Sequence, residues 1–519
     1  MPEIHVRCPR TGRPLYDVAE ATPAEIADVY VRARKAREIL GKMSVRERLN
    51  EAAKLKRYIL ENKELIAGRI SEETGKCETD ALALEVFAAI DIIHYYEKRA
   101  VKILADQRVP TPLVFLGKRS KVFYEPLGTV LVISPWNYPF HLSFVPAVSA
   151  IIAGNAVVLK PSQYAPLRGV IEDMVRASGF VPDALQVVYT TRRTAQPLID
   201  ARPEKIMFTG SVAGGKAVMQ QAARHLIPVE LELGGKDPML VFDDVDLGRT
   251  VNGALWGGLV NCGQTCTSIE RIYVQEGIYE AFLSSMVEKV KRLRIPTDQK
   301  NERDGGRLDI GCMTTESQVE IVQRQLAEAV AQGATILTGG SRVPGTRVFP
   351  PTIVTNVNHS MSIVKDETFG PVVAVMKFKS EAEVIELAND SVFGLSASVW
   401  SRDLVRAERV ARAIRTGNVS INNALATQGN SALPYGGLKQ SGFGRYRGTL
   451  GLHAFSNIKS VLIDKQGPNP EMHWYPYSPK KIQLFEKLLD ALYGAGPCGL
   501  LKAAAIGVRM KRMARREKL

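Results

Sequence analysis

Cysteine is scarce in this chain: there are six in 519 residues, at positions 8, 77, 262, 266, 312 and 498. No two form a CxxC pair, and none clusters with histidine at zinc-ligand spacing. That excludes a disulfide scaffold and a metal site read from cysteine spacing, and it points to a reducing compartment, the cytoplasm. Long apolar runs are missing too. No uninterrupted stretch reaches the ~18–20 residues that a spanning helix needs, and Met1-Pro2-Glu3-Ile4-His5 lacks the apolar core of a signal peptide. There is no internal repeat and no low-complexity segment. Acid is in deficit, with 54 Asp and Glu against 68 Lys and Arg, a net charge of +14. No aromatic-plus-basic segment accompanies that excess, so nucleic-acid binding is not expected. Much of the charge is local, because residues 491–519 hold seven Lys or Arg against one Glu.

What is present is an ordinary globular composition, 45% hydrophobic and 24% charged, on a length that suits two to three domains. The first hundred residues read as helices. Thr22-Pro23-Ala24-Glu25 and Ser44-Val45-Arg46-Glu47 are capping boxes, and Ile26, Val29, Tyr30 and Ala33 recur at helical spacing. From Val122 onward, short apolar runs alternate with helix-sized segments. Residues 129–133, 156–159, 205–208, 229–233, 239–242 and 272–274 read as strands, with a second set at 372–377, 395–401 and 418–422. Such runs suit parallel sheets covered on both faces, an α/β fold. The tail is different: 484–493 is amphipathic, Gly494-Ala495-Gly496-Pro497 breaks it, and 500–510 is apolar before a basic end at 511–516.

Chemistry concentrates in a few places. Cys266 closes Asn261-Cys262-Gly263-Gln264-Thr265-Cys266, where Gly263 gives the backbone freedom for close approach to a substrate. A lone cysteine is more often a small buried hydrophobe, and Cys262 takes that reading. Thirty-four residues upstream of Cys266, Glu232 ends an apolar run and precedes Gly234-Gly235-Lys236. A carboxylate there is either paired, capping a helix, or a general base with a raised pKa. Phe208-Thr209-Gly210-Ser211 into Gly214-Gly215-Lys216 has the form strand, glycine turn, helix start, which suits a pyrophosphate or is simply a turn. It is not the GxGxxG fingerprint. Asn137, in a loop pinned by Pro135 and Pro139, is an amide donor for an oxyanion or a turn residue. Lys160 ends another strand as a ribose or phosphate contact.

Taken together, these pieces resemble the aldehyde dehydrogenase superfamily. The matching motifs are SPWNYP (134–139), LKPS (159–162), FTGS (208–211) with its following GGK, LELGGK (231–236), GQTC (263–266), ETFGPV (367–372) and LPYGGLKQSGFGR (433–445), in the family's order from about residue 20 to about 465. The resemblance implies that Cys266 attacks the aldehyde carbon, and that the Asn137 amide and the Cys266 N–H hold the resulting oxygen. Hydride then passes to a nicotinamide, and Glu232 activates the water that hydrolyses the thioester. It places Lys160 and Glu367 on the cofactor riboses, Gly210, Ser211 and Gly215 near the pyrophosphate, and Phe369 against the nicotinamide. Ser134, Trp136, Ser162 and Gln163 join them around the cofactor. No metal is implied.

Two departures shape the expectations. Gln163 stands where NAD-preferring members carry a glutamate, so NAD and NADP are both admissible, with NAD favoured. The tail, apolar then basic, looks like that of membrane-attached fatty-aldehyde members, so a membrane surface is expected to meet residues 484–519 at the cytoplasmic face. The expected architecture is a Rossmann-type dinucleotide-binding domain (1–104 and 122–234), an α/β catalytic domain (235–432), a β-arm for oligomerisation (105–121 and 449–463) and a C-terminal extension (464–519). A homodimer or homotetramer is expected. The expected reaction is oxidation of a long-chain or hydrophobic aldehyde. The alternatives are a small acidic semialdehyde, met by Arg271 or Lys439 at a channel mouth, and a catalytically silent scaffold.

Overall fold

The short apolar runs become two sheets. In the computed structural model, which describes residues 2–115, 117–296, 308–465, 470–494, 496 and 499–516, the chain divides into two compact units. The first comprises Met1–Ala105 and Tyr124–Asn457 and the second Asp106–Phe123 and Ile458–Leu519.

One sheet of the first unit has six strands in the order Gly442–Phe443, Val229–Glu232, Lys205–Thr209, Thr129–Ile133, Ala156–Lys160, Leu185–Val187. All are parallel except the first, which pairs antiparallel with Val229–Glu232. Thr129–Ile133 and Ala156–Lys160 are buried along their whole length, as strands covered by helices on both faces must be. Helices Pro23–Lys42, Val45–Glu61, Phe87–Ile103 and His141–Ile152 supply much of the first core through Tyr30, Leu55, Ile93 and Phe144. Strand order reverses between Thr129–Ile133 and Lys205–Thr209, so the loops leaving those two strands open a crevice at their carboxyl ends.

The second sheet has seven strands in the order Thr335–Thr338, Thr352–Thr355, Val372–Phe378, Ile269–Gln275, Asp237–Val241, Ser396–Trp400, Asn418–Ile421. Only the Thr335–Thr338 edge is antiparallel. It carries a separate core around Leu240, Tyr273, Phe282 and Val375.

Both capping boxes form: Thr22 accepts from the Glu25 N–H at 3.2 Å and Ser44 from that of Glu47 at 3.3 Å. The reading of the first hundred residues as helical misses a hairpin, Glu3–Arg7 paired antiparallel with Pro14–Ala19. Its cue was the alternation of Ile4 and Val6, buried between exposed neighbours.

The second unit holds most of a three-stranded sheet ordered Ser456–Ile463, Arg119–Pro126, Gln107–Val109. In the span 449–463, strand begins only at Ser456, because Gly448–Ala454 is helical. Helices Pro479–Leu489 and Gly499–Arg516 pack together through Leu488, Ala503 and Met510, joined by Ala491 from the segment Asp490–Gly494. The sequence reading gave the apolar stretch 500–510 to a membrane surface, but its Ala503 and Met510 are the buried face of this pair. The exposed face carries Leu500, Leu501 and Val508, followed by Lys511, Arg512 and Arg515. No helix among the described residues is long and apolar enough to cross a membrane. Ala495 and Pro497 of the expected break, and Cys498, lie outside the described residues.

Candidate active site

The loop before Cys266 is built from unusual backbone. Asn261, Cys262 and Gly263 all have positive φ (54°, 57° and 68°), a left-handed run that L-residues adopt only when their surroundings enforce it. A side chain at Gly263 would put its Cβ 2.0 Å from the Gly370 carbonyl oxygen. Asn261 holds the turn by donating from Nδ2 to the carbonyls of Asn137 (3.0 Å) and Gln264 (3.1 Å), and Gln264 Oε1 accepts from the Thr314 N–H at 2.9 Å. Cys262 is fully buried in the second core, and Cys266 is delivered half-buried.

Burial pushes the Cys266 thiol up to about 12. The Tyr435 hydroxyl, 3.6 Å from Sγ, opposes that shift, while Asp237, Glu232 and Glu367 reinforce it. Glu232 ends its strand with 4% exposure, and desolvation raises its carboxyl well above the usual range, against the pull of Arg445 and Arg447. Asn137 donates one of its two amide hydrogens to the Gln264 carbonyl at 3.0 Å and has the other to give.

Cys266 and Glu232 line two cavities. One, of ≈310 Å³, is walled by Leu84, Phe87, Ile92, Leu142, Val145 and Trp256. The other, of ≈590 Å³, lies at the carboxyl ends of the first sheet's strands and gathers most of the residues expected around a cofactor. Ser134, Trp136 and Asn137 enter from the loop after Thr129–Ile133, and Lys160, Ser162 and Gln163 from the end of Ala156–Lys160. Gly210 and Ser211 open the next turn, and Glu367 and Phe369 come from the second sheet's side.

Lys160 is buried with its ammonium on the Pro161 carbonyl at 3.1 Å, and desolvation lowers it to about 8. Burial raises Glu367 to about 8, although Oε1 accepts the Gly235 N–H at 3.1 Å. Phe369 stands edge-on to Trp136 at 5.5 Å. Ser211 caps helix Val212–Ala223. Gly215 does not line the cavity. A Cβ there would fall 2.6 Å from Leu233 Cδ2, so that glycine lets the helix lie on the sheet.

Two buried ion pairs under the site have no cue in hydrophobic periodicity. Lys76 and Glu85 are both fully buried at 2.5 Å, and Lys76 also donates to the Asn137 carbonyl at 2.6 Å. Lys236 pairs with Glu270, whose carboxylate accepts the N–H groups of Thr368 (2.8 Å) and Phe369 (2.9 Å). Lys236 and Tyr435 stood inside quoted motifs, but their roles depend on partners far along the chain. Arg271 and Lys439 do not reach either cavity. Arg271 is buried and donates to the carbonyls of Lys236 and Ala388, and Lys439 to those of Asn389 and Ser391.

A crevice at a strand-order reversal, a capped helix opening on it and a thiol between two cavities define an enzyme of the dinucleotide-binding α/β class. The model of the Aldehyde dehydrogenase family matches residues 2–461, and the chain belongs to that family. It is an NAD(P)-dependent oxidoreductase acting on aldehydes. A 4,4'-diapolycopene aldehyde oxidase from Methylomonas is 42% identical over 95% of this chain and 92% of its own length. A Mycolicibacterium smegmatis protein, provisionally named succinate-semialdehyde dehydrogenase [NADP(+)], is 34% identical over 88% and 87%. The NAD+ complex of a Bacillus cereus aldehyde dehydrogenase superposes with a TM-score of 0.84 at 31% identity, covering 90% of this chain and 94% of that one.

The larger cavity fits such a cofactor. Lys160, Arg192 and Arg193 line it, and the amino end of helix Val212–Ala223 adds positive potential.

Proposed function

We propose that the protein oxidises a long-chain or otherwise apolar aldehyde to its carboxylic acid. The observation that carries this is the ≈310 Å³ cavity before Cys266, with its aliphatic and aromatic walls. Bound NAD or NADP supplies the two-electron acceptor. Lys160, Ser162, Gln163 and Glu367 would hold its riboses, Gly210 and Ser211 its pyrophosphate, and Ser134, Trp136 and Phe369 its remaining faces. The Cys266 sulfur adds to the aldehyde carbon, and the spare Asn137 N–H meets the oxygen that becomes negative. Glu232, kept protonatable by burial, takes a proton from the water that cleaves the acyl–sulfur bond.

The same reading assigns cofactor binding to residues 1–104 and 122–234, and the nucleophile's support to 235–432. The arm 105–121 with 449–463 would pair between subunits of a homodimer or homotetramer, an idea supported by the exposed Ile458 and Leu462 on an edge strand. The exposed face of helix Gly499–Arg516, with leucines leading into arginines, supports attachment to an anionic membrane surface at the cytoplasmic face. Removing residues after Lys465 would then release the protein from anionic vesicles.

The relative named for 4,4'-diapolycopene aldehyde supports an apolar substrate. The one named for succinate semialdehyde supports the acidic alternative, but the cation lining the front cavity, Arg447, already donates to His141 Nε2 and the Gln428 carbonyl. For the cofactor, Gln163 Oε1 is occupied by the Arg192 N–H at 3.2 Å, and Arg192 and Arg193 line that end of the cavity. This favours a 2′-phosphate, hence NADP, over the NAD favoured in the sequence reading.

The test is reduced-cofactor formation across a ladder of aldehydes, short acidic to long aliphatic, with each cofactor and with Cys266→Ser as the blank. Catalytic efficiency rising with chain length supports the reading. Turnover confined to acidic semialdehydes replaces it with the alternative.

A further inference from the structure

A thiol at the meeting point of two cavities has a physical difficulty. Asp237, Glu232 and Glu367 each disfavour a second negative charge at Cys266, and among the described residues no lysine, arginine or histidine bonds to its sulfur. The hydrogen-bond partner of Sγ is Tyr435 Oη at 3.6 Å, and both groups line the front cavity.

Tyr435 is held in place more firmly than a cavity-wall residue needs to be. Its N–H donates to the Tyr446 carbonyl at 2.9 Å, and the Tyr446 N–H donates back at 3.0 Å. The two rings meet edge-on, 5.6 Å between centroids at 81°. The Arg447 guanidinium lies 5.2 Å from each ring centroid, and Arg447 donates to His141 Nε2 at 2.6 Å. A planar cation fixed over two rings, on a backbone bridge, leaves the Tyr435 hydroxyl little freedom other than rotation of its own O–H.

We propose that Tyr435 is the hydrogen-bond donor that makes Cys266 reactive: its O–H points at sulfur and stabilises the thiolate as the S–H proton leaves to water. The tyrosine keeps its own proton throughout, because burial and the nearby Glu232 and Cys266 charges all hold its hydroxyl protonated. No oxidation state changes in this step: the S–H bond breaks with its electron pair left on sulfur, and the proton forms a new O–H bond to water. A pre-aimed neutral donor offsets the cost of forming a charge in a desolvated site without bringing a cation that would also attract an acidic substrate. The proposal rests on Cys266 being the nucleophile.

The test is the pH dependence of Cys266 alkylation by iodoacetamide, followed by mass spectrometry of its peptide, in the full-length wild type and in Tyr435→Phe. The expected result is alkylation about tenfold slower in the variant at each pH below the wild-type midpoint, as for a thiol about one unit less acidic. The unfolding midpoint should be unchanged. Equal midpoints and rates overturn the proposal. Should Tyr435→Phe fail to fold, site-specific fluorotyrosine at 435, a more acidic donor of nearly the same shape, must lower the midpoint, and an unmoved midpoint overturns the proposal equally. Turnover retained in Cys266→Ser would instead remove the nucleophile assignment, a separate result from the alkylation profile.

Discussion

The two cavities that meet at Cys266 and Glu232 differ in the cations that line them, Arg447 in the front one against Lys160, Arg192 and Arg193 in the rear one. The front one is walled by Leu84, Phe87, Ile92, Leu142, Val145 and Trp256, and its lining cation, Arg447, is already engaged. The rear one is lined by Lys160, Arg192 and Arg193 beside the capped start of a helix. An apolar wall can hold a hydrocarbon chain but rejects a carboxylate, which would be desolvated without a partner. A cationic wall with free amide hydrogens does the reverse. That contrast is the ground for the substrate proposed above, and Cys266 lines both cavities.

The largest effect that bears on this contrast is at the junction itself. Glu232→Gln should cut steady-state acid release by about 10²–10⁴-fold while leaving an initial burst of reduced cofactor. A steady rate without a burst would place the base elsewhere. The pH profile follows from the direction of the shift. Burial raises the Glu232 carboxyl, so the ionised base is lost on acidification at a higher pH than for an ordinary carboxylate. Acid release should climb as pH rises through that point, and the climb should vanish in Glu232→Gln.

Next is the platform under Asn137. Lys76→Met leaves Glu85 buried without its cation and should cost about 3–5 kcal/mol in denaturant unfolding, with loss of turnover. A loss below about 1 kcal/mol would mean the pair is not what holds that loop. A smaller effect concerns the rear cavity alone. Gln163→Glu places a carboxylate beside the site assigned to a 2′-phosphate and should weaken 2′,5′-ADP binding by about tenfold, measured calorimetrically, with 5′-AMP little changed. Equal weakening of both would detach Gln163 from that choice. The smallest is at the front. Phe87, 64% exposed on the cavity's rim, should on change to Ala lower efficiency for long aldehydes by about fivefold, or roughly 1 kcal/mol, and leave short ones untouched.

Local chemistry made several elements legible in advance. The capping boxes at Thr22 and Ser44 specify helix starts by themselves, because the bonds they make span three residues. The strands ending at Ile133, Lys160 and Glu232 were readable because apolar runs bounded by glycine and proline have few alternatives. The hairpin at Glu3–Arg7 was missed because two alternating apolar residues are too short a signal to separate from a loop.

The sequence by itself singled out Cys266, Glu232 and Asn137 as the candidate thiol, carboxylate and amide, since order and spacing along the chain carry a family's motifs. It could not say that Gly215 packs on Leu233 instead of facing a ligand, or that Ala503 and Met510 are spent on a partner helix. Nor could it find Lys76 beneath Asn137, Glu270 beneath Phe369, or Tyr435 against Cys266. Those pairings are 61, 99 and 169 residues apart in the chain. Only tertiary structure decides them, because the low-dielectric interior that gives a buried charge or hydroxyl its strength exists only once the chain has folded around it.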